Sequence, residues 1–501
     1  MSDSLIVSLD AGTTGARCFI FNIKGDLIQS SRAEWTFTAT PKVNLGLEFQ
    51  PEQFWQVLCS QIKNCFRAGN INPENVKAIA CTSMREAQVI LGEKDEYLLA
   101  TPAHDLRALS QAMKIFNKHR DTIYQVTGRL PPMIFALARL LWMKRKMKEE
   151  YARISMLLLF SDWMNFMLCG EKASEPSVAG ESMLFDVRKR TWSEEILNLF
   201  EITPDILPQL KNAGEIVGEI NEKAAKDTGL KKGTPVVMAG ADSQCGLLGM
   251  GLNDDLNLGI IAGSTAPLQV VTDKPLFDSE LRTWTNCHLL QDKWILEANT
   301  GRTGAALLWF KKYLADFGLK EQEPFEKLEE LIKDVPPGAR GVWAFLGPMI
   351  TNAGSLEGLG QGGFLFPLPI AEDNSGLPLF YKAALENAAY AFRGNYEILS
   401  GILGSEFSSI GIGGGMVQSS TFVQIVADVL QKPVHTYQTF EATALGASIC
   451  ATVGVNIYGS FNEATDSMIH PTKTFSPSPQ QSKYKSLFKR WLQIMQSLKS
   501  I

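Results

Sequence analysis

A single carboxylate, Asp242, stands in the stretch MAGADSQCGLLGMG at 238–251, with no other charge until Asp254. The run Pro235-Val236-Val237-Met238 leads into it through a small-residue turn, and Gly246, Gly249 and Gly251 break the apolar segment that follows. An isolated acid at the head of a glycine-rich, closely packed helix suits a general base. An acid there equally suits a helix N-cap. Asp10 ends an apolar run at the corner Gly12-Thr13-Thr14-Gly15. Backbone N–H groups and two hydroxyls at such a corner can grip phosphate oxygens, and Asp10 beside them can orient a hydrated Mg²⁺. A plain tight turn is the other reading. Arg85-Glu86 offers donors and an acceptor to a polyol, or forms a structural ion pair. His104-Asp105 lies in a polar loop where an ordinary loop role and a ligand role both fit.

These residues need elements to hold them. The pattern predicts a strand meander over 5–10, 16–22 and 27–35, then a helix over 51–67 with Phe54, Trp55, Leu58, Ile62 and Phe66 on one face. A strand at 76–81 follows, and 89–91 resumes the same sheet. One long helix is expected over 133–150, and a strand-to-helix junction at 154–163 with Asp162 as cap. After Asp242 the opening pattern returns: a strand at 256–262, the corner Gly263-Ser264-Thr265, and a return strand at 267–272. That repetition suggests a duplicated domain. Helices are expected over 301–314 (apolar face Ala305, Leu308, Trp309, Tyr313), 378–399, 419–430, 441–453 and 480–498, with a loop over 347–373. A strand at 407–412 runs into Gly413-Gly414-Gly415.

The 501 residues are 20% charged and 45% hydrophobic, with a formal net charge of −5, room for two large cores and no basic stripe for nucleic acid. The opening MSDSLIVSLD lacks a secretory pattern, and the longest uncharged window, 407–427, is too polar for a membrane helix. Neither membrane nor nucleic acid is an expected partner. Eight scattered cysteines show no CxxC or zinc spacing and read as buried reduced thiols of a cytoplasmic protein. There is no GxxxxGK[ST], protein-kinase loop or GxSxG, and Gly411–Met416 ends in Met where a dinucleotide fingerprint needs glycine. An α/β protein of two similar halves remains, with the positioning, charge-neutralising and base candidates that phosphoryl transfer requires.

Six segments in order resemble the FGGY carbohydrate kinases of the actin-like, sugar-kinase ATPase superfamily. They are LDAGTTGARCFIFN (9–22), MREAQVIL (84–91), GADSQCGLLGMG (240–251), AGSTAPLQVV (262–271), IGIGGGMVQSSTFVQIVADVLQKPV (410–434) and EATALGASICA (441–451). The resemblance implies two duplicated ribonuclease H-like domains, 1–250 and 251–501, with a cleft between them. It implies ATP and Mg²⁺, and a small sugar or polyol as acceptor; a second copy of the chain is a candidate partner. Asp242 would be the base. Asp10, Thr13, Thr14 and Arg17 would serve Mg²⁺ and the transferred phosphoryl group, with Asp10 the metal residue. Gly263, Ser264, Thr265 and Gly304 would meet the nucleotide phosphates, Gly414 and Gly415 would lie beside the nucleotide, and Ser419 near the adenine. Arg85, Glu86, His104, Asp105, Asp242 and Ser243 would take the acceptor. AEW, EF, SMRE, SDW and VPPG (33–35, 48–49, 83–86, 161–163, 335–338) are most similar to the autoinducer-2 kinase branch, which acts on a linear dihydroxylated pentanedione. A xylulokinase-like or other pentose or polyol kinase is the alternative, and a non-catalytic sugar- or nucleotide-binding protein the rival of another class.

Overall fold

The computed structural model describes residues 4–253, 257–315, 325–355, 360–368 and 376–499. Parts of the expected 347–373 loop, the start of the strand expected at 256 and Asp254 lie outside the described residues. The first sheet contains β1 (Leu5–Gly12), β2 (Gly15–Asn22), β3 (Leu27–Glu34), β4 (Val76–Ser83), β5 (Ile216–Glu219) and β6 (Pro235–Met238), in the order β5-β6-β4-β1-β2-β3. The second contains β7 (Asn257–Ile261), β8 (Thr265–Thr272), β9 (Trp284–Cys287), β10 (Trp294–Arg302), β11 (Ser409–Gly413), β12 (Val434–Tyr437) and β13 (Pro471–Phe475), in the order β9-β10-β8-β7-β11-β12-β13.

The sheets share a plan. In each, an antiparallel meander (β3-β2-β1, β10-β8-β7) continues through two parallel strands (β4-β6, β11-β12) and ends on an antiparallel edge. The expected duplication is therefore present. β1 is buried along its whole length, as a strand flanked on both sides by neighbours and covered on both faces must be.

Seven helices matter for the site: α1 (Pro51–Ala68), α2 (Leu109–Thr127), α3 (Asp242–Leu248), α4 (Gly304–Ala315), α5 (Leu377–Leu403), α6 (Ser420–Leu430) and α7 (Ala442–Gly454). Proline opens α1, and its Phe54, Trp55, Leu58, Ile62 and Phe66 stripe is buried on one face of the first sheet. The other face is covered from the second half of the chain. Leu445, Ile449 and Cys450 of α7 pack with Ile6, Phe19, Phe21, Ala80 and Val237. α7 also crosses α3 with the backbones nearly in contact. A Cβ at Gly446 would sit 1.8 Å from the Cys245 carbonyl oxygen, and one at Gly249 would sit 2.0 Å from that of Ala442. The obstruction is backbone on both sides, so no rotamer relieves it. Gly446→Ala is expected to lower unfolding stability by about 1–3 kcal/mol through overpacking, read as a shift in the chemical denaturation midpoint.

Three local expectations change. Strand Gln88–Gly92 leaves the first sheet and joins Tyr97–Thr101 and Ile154–Leu159 in a separate three-stranded sheet. The chain turns away just before it, with Glu86 at φ 62°. The helix expected over 133–150 is broken at Met147 (φ −130°, ψ 59°) into Ala136–Lys146 and Lys148–Ala152. On α4 it is Ala306 and Phe310 that are buried, whereas Leu308, Trp309 and Tyr313 are 46%, 55% and 49% exposed. The helix start is docked on the 263–264 corner through Gly304 and Ala305 N–H bonds, and that docking sets its rotation.

Candidate active site

Strand register explains the first cluster. Asp10 and Arg17 are direct partners across β1 and β2, and their side chains form an ion pair at 3.2 Å. Thr13 and Thr14 are exposed at the bend between them. Gly15 is required there because a Cβ would lie 2.2 Å from the Ala33 carbonyl oxygen.

The second cluster joins segments far apart in sequence. Gly304 N–H donates to the Gly263 carbonyl at 3.1 Å, Ala262 N–H to Gly413 at 2.7 Å, and Met416 N–H to Ala262 at 3.2 Å. Gly414 takes φ 95° with the Ala262 carbonyl 2.6 Å from where a Cβ would stand. The corner 263–265, the start of α4 and the 413–415 turn therefore form one surface, on which Ser264 and Thr265 are exposed. Ser419 does not share it. That residue is 1% exposed, caps α6 by accepting from Phe422 N–H at 3.1 Å, and donates to Glu329 at 2.7 Å.

Asp242 is the first residue of α3, and Ala241 occupies the cap position without a side-chain cap bond. The Asp242 carboxylate accepts only from the adjacent Ser243 N–H among the hydrogen bonds of the described residues, at 2.7 Å, and stays 37% exposed. The capping role does not describe it. Its approach is fixed from behind: Thr82 Oγ1 donates to the Gly240 carbonyl at 2.8 Å, and Ala241 N–H donates to Ser177 Oγ at 3.1 Å. Although one edge is open, the packed walls desolvate the Asp242 carboxyl and push it up to about 7; Arg85 opposes this and nearby Asp10 adds to it.

Arg85 holds the centre. Its Nε lies 3.8 Å from Asp242, while Nη1 and Nη2 donate to Glu297 at 2.7 and 3.0 Å. Glu181 is 3.7 Å away and pairs with the fully buried Arg129. Trp284 lies under both guanidiniums, at 5.4 Å from Arg85 and 4.8 Å from Arg129. Glu86 is buried in left-handed backbone, a conformation that costs a non-glycine residue of order 1 kcal/mol or more. Burial pushes its carboxyl up to about 8, with Arg85 opposing and Glu181 adding.

The remaining candidates divide. His104 is exposed, edge-on to Phe37 at 5.1 Å, and partial desolvation lowers its pKa, with Arg302 adding to this. Ser243 is 2% exposed and donates to Gln244. Asp105 is wholly inaccessible: it accepts from Leu47 N–H at 2.8 Å and from Arg107 Nε at 3.0 Å, with Arg139 at 3.4 Å. It clamps Leu47, Arg107 and Arg139 together inside the first half of the chain. Glu297, Glu181, Arg129 and Trp284 were missing from the sequence reading. Glu297 carried one signal, a lone acid in the apolar strand WILEAN.

Among the described residues, no group of three or more His, Cys, Asp or Glu is arranged to hold a metal, and no helix is long and apolar enough to cross a membrane. All eight cysteines are free thiols.

Residues 5–249 match the N-terminal domain, and 258–455 the C-terminal domain, of the FGGY family of carbohydrate kinases. The autoinducer-2 kinase of Salmonella choleraesuis (strain SC-B67) is 30% identical over 511 residues, covering 100% of this chain and 96% of that protein. The gluconate kinase of Lactobacillus acidophilus has the same fold, with a TM-score of 0.86 at 19% identity over 99% of this chain and 98% of the other. The xylulose kinase of that organism is similar at 0.85 and 19%, with the same coverage. The fold is thus the two-domain α/β fold of actin-like sugar kinases, and the chain belongs to the FGGY family of carbohydrate kinases.

Proposed function

We propose that this sugar kinase transfers the γ-phosphoryl group of ATP to a hydroxyl of a small polyol- or sugar-like signal, the linear dihydroxypentanedione form of autoinducer-2. The observation that carries the reading is Asp242, a half-open carboxylate at the junction of the halves with no capping partner. Similarity to autoinducer-2 kinases along the whole chain supports the acceptor class. Residues 1–250 hold the acceptor and residues 251–501 the nucleotide, and the reaction belongs to the cytoplasm.

In this mechanism Asp242 accepts the proton of the acceptor hydroxyl as its oxygen attacks the γ-phosphorus. Arg85 and Glu86 orient the acceptor, with His104 and Ser243 at its edges. Thr13, Thr14 and Arg17 receive the transferred group. Ser264 and Thr265 offer hydroxyl donors to the nucleotide phosphates, while Gly263, Gly304, Gly414 and Gly415 let the backbone lie close beside them. Ser419 acts on the nucleotide only through the start of α6. Asp10 fits the demand of Mg²⁺ for one or two carboxylates plus phosphate oxygens, being a hard oxygen donor beside the exposed bend. When bound, that ion neutralises phosphate charge.

The base must be ionised to work, so kcat/KM should rise with pH through a limb near 7, where the Asp242 carboxyl titrates. The limb should move or vanish in Asp242→Asn, and a limb unchanged in that variant would mean that another group is the base. A coupled ADP-release screen over the dihydroxypentanedione, ketopentoses, glycerol and aldonates tests the substrate. The expected result is the highest kcat/KM for the dihydroxypentanedione. Tight acceptor binding without ADP release would instead indicate a non-catalytic binder.

A further inference from the structure

The acceptor pocket contains more buried charge than orienting a neutral sugar requires. Arg85 is the cation nearest Asp242, yet both its terminal nitrogens are taken by Glu297, which arrives on β10 from the other half of the chain. Glu297 is itself fixed, accepting from Gln269 Nε2 at 2.6 Å and Asn299 Nδ2 at 3.2 Å. Its side chain is fully buried. Arg129, the next guanidinium inward, is matched by Glu181, which Asn286 Nδ2 also holds at 3.0 Å. Glu86 and Asp242 add further carboxyls to the same cluster. Arg302, the cation electrostatically coupled to His104, is exposed to water.

We propose that Glu297 makes the acceptor site selective by charge: it occupies the Arg85 guanidinium, so the pocket accepts uncharged polyols and carbonyl compounds and refuses sugar acids. A carboxylate brought into the pocket finds the two buried guanidiniums, Arg85 and Arg129, already matched by the buried acids Glu297 and Glu181. Like charges brought together in a desolvated site are strongly disfavoured, which is how sites exclude a wrong partner. Were Glu297 absent, Arg85 would present a two-pronged donor suited to a carboxylate. The proposal rests on the acceptor-side reading of Arg85 given above.

The test compares xylitol and gluconate as neutral and anionic probes. Equilibrium binding is measured calorimetrically on the full chain, alongside kcat/KM for a neutral ketopentose and gluconate. The wild-type protein should bind xylitol at least about 10-fold more tightly than gluconate, and Glu297→Gln should shift that ratio toward gluconate by about 10- to 100-fold. Glu297→Asp, which keeps the charge, should leave the preference in place. Wild-type preference for gluconate, or a Glu297→Gln ratio within twofold of wild type, overturns the proposal even if the kinase is active. Absence of turnover on every acceptor overturns the kinase mechanism, while the binding ratio still decides the role of Glu297.

Discussion

Asp242→Asn should lower kcat by about 10²- to 10⁴-fold while leaving nucleotide affinity close to wild type. The amide keeps the size of the carboxylate and its ability to accept from Ser243 N–H, so α3 starts as before. What it loses is a site for the acceptor proton. The proposed nucleotide surface, formed by 263–265, 304 and 413–415, is built from other strands and helix starts, and its backbone bonds do not pass through Asp242. A binding titration with a nucleotide and a single-turnover measurement of phosphoryl transfer separate the two effects. Full activity in this variant would remove Asp242 from the mechanism. Both variants remove the countercharge 3.8 Å from buried Arg85, but Asp242→Ala is the weaker test, because it also deletes the acceptor of the Ser243 N–H and leaves a gap at the start of α3.

Much of this arrangement was legible in the sequence because local chemistry and fold agree there. The Gly-hydroxyl-hydroxyl corners at 12–14 and 263–265 each follow an apolar strand, and the two strands occupy equivalent central places in their sheets. The glycine pattern around Asp242 also has its reason: Gly249 lets the end of α3 pass the start of α7, as Gly446 lets α7 pass α3. Periodicity failed where tertiary packing decides. The α4 stripe Leu308-Trp309-Tyr313 has helical spacing with Ala305, but spacing does not say which face meets the core, and the docked helix start turns Ala306 and Phe310 inward. Asp105 was a candidate through the family's polyol-binding positions alone; the approach of Arg107 and Arg139 in space, which engages its oxygens, has no local signal.

The least legible part of the site is the part that crosses the halves. Glu297 is 212 positions from Arg85, and no local pattern links them. The contact follows from β9 and β10 lying against the first half. There Thr285 N–H donates to Gly128, Asn286 Nδ2 donates to the Ser177 carbonyl and Trp294 Nε1 to that of Val187. These bonds hold Glu297 against Arg85 as part of a broad seam. A seam of that kind explains how a charge from the second half of the chain can act at the proposed acceptor side.

Replacing Arg85 should therefore damage stability and activity by separable routes. Arg85→Met leaves buried Glu297 without its main cation and is expected to cost about 3–5 kcal/mol, the range for breaking a buried pair by removing one partner. The pH dependence identifies the cause. In the native protein burial pushes the Glu297 carboxyl up, but Arg85 and Arg129 outweigh it and hold the group below the usual carboxylate range. Its contribution to stability is then present above the unfolded-state pKa and is lost as pH falls through the folded one. In Arg85→Met burial dominates, the folded-state pKa rises above the unfolded value, and the folded protein binds the proton more readily. The deficit should thus be larger at pH 8 than at pH 5, measured as the difference in denaturation free energy from wild type. Catalysis should respond in another way. Arg85 opposes the upward shift of Asp242, so its loss should move the acidic limb of kcat/KM to higher pH. The double variant Arg85→Met, Glu297→Met removes both buried charges and should regain much of the stability, because well-packed apolar replacements of a buried pair are often neutral or stabilising. It should not regain the position of the limb, since Asp242 still lacks its cation. Recovery of both properties together would show that Arg85 acts on the base only by holding the seam closed, whereas recovery of stability alone would identify it as the cation that sets the proton affinity of Asp242.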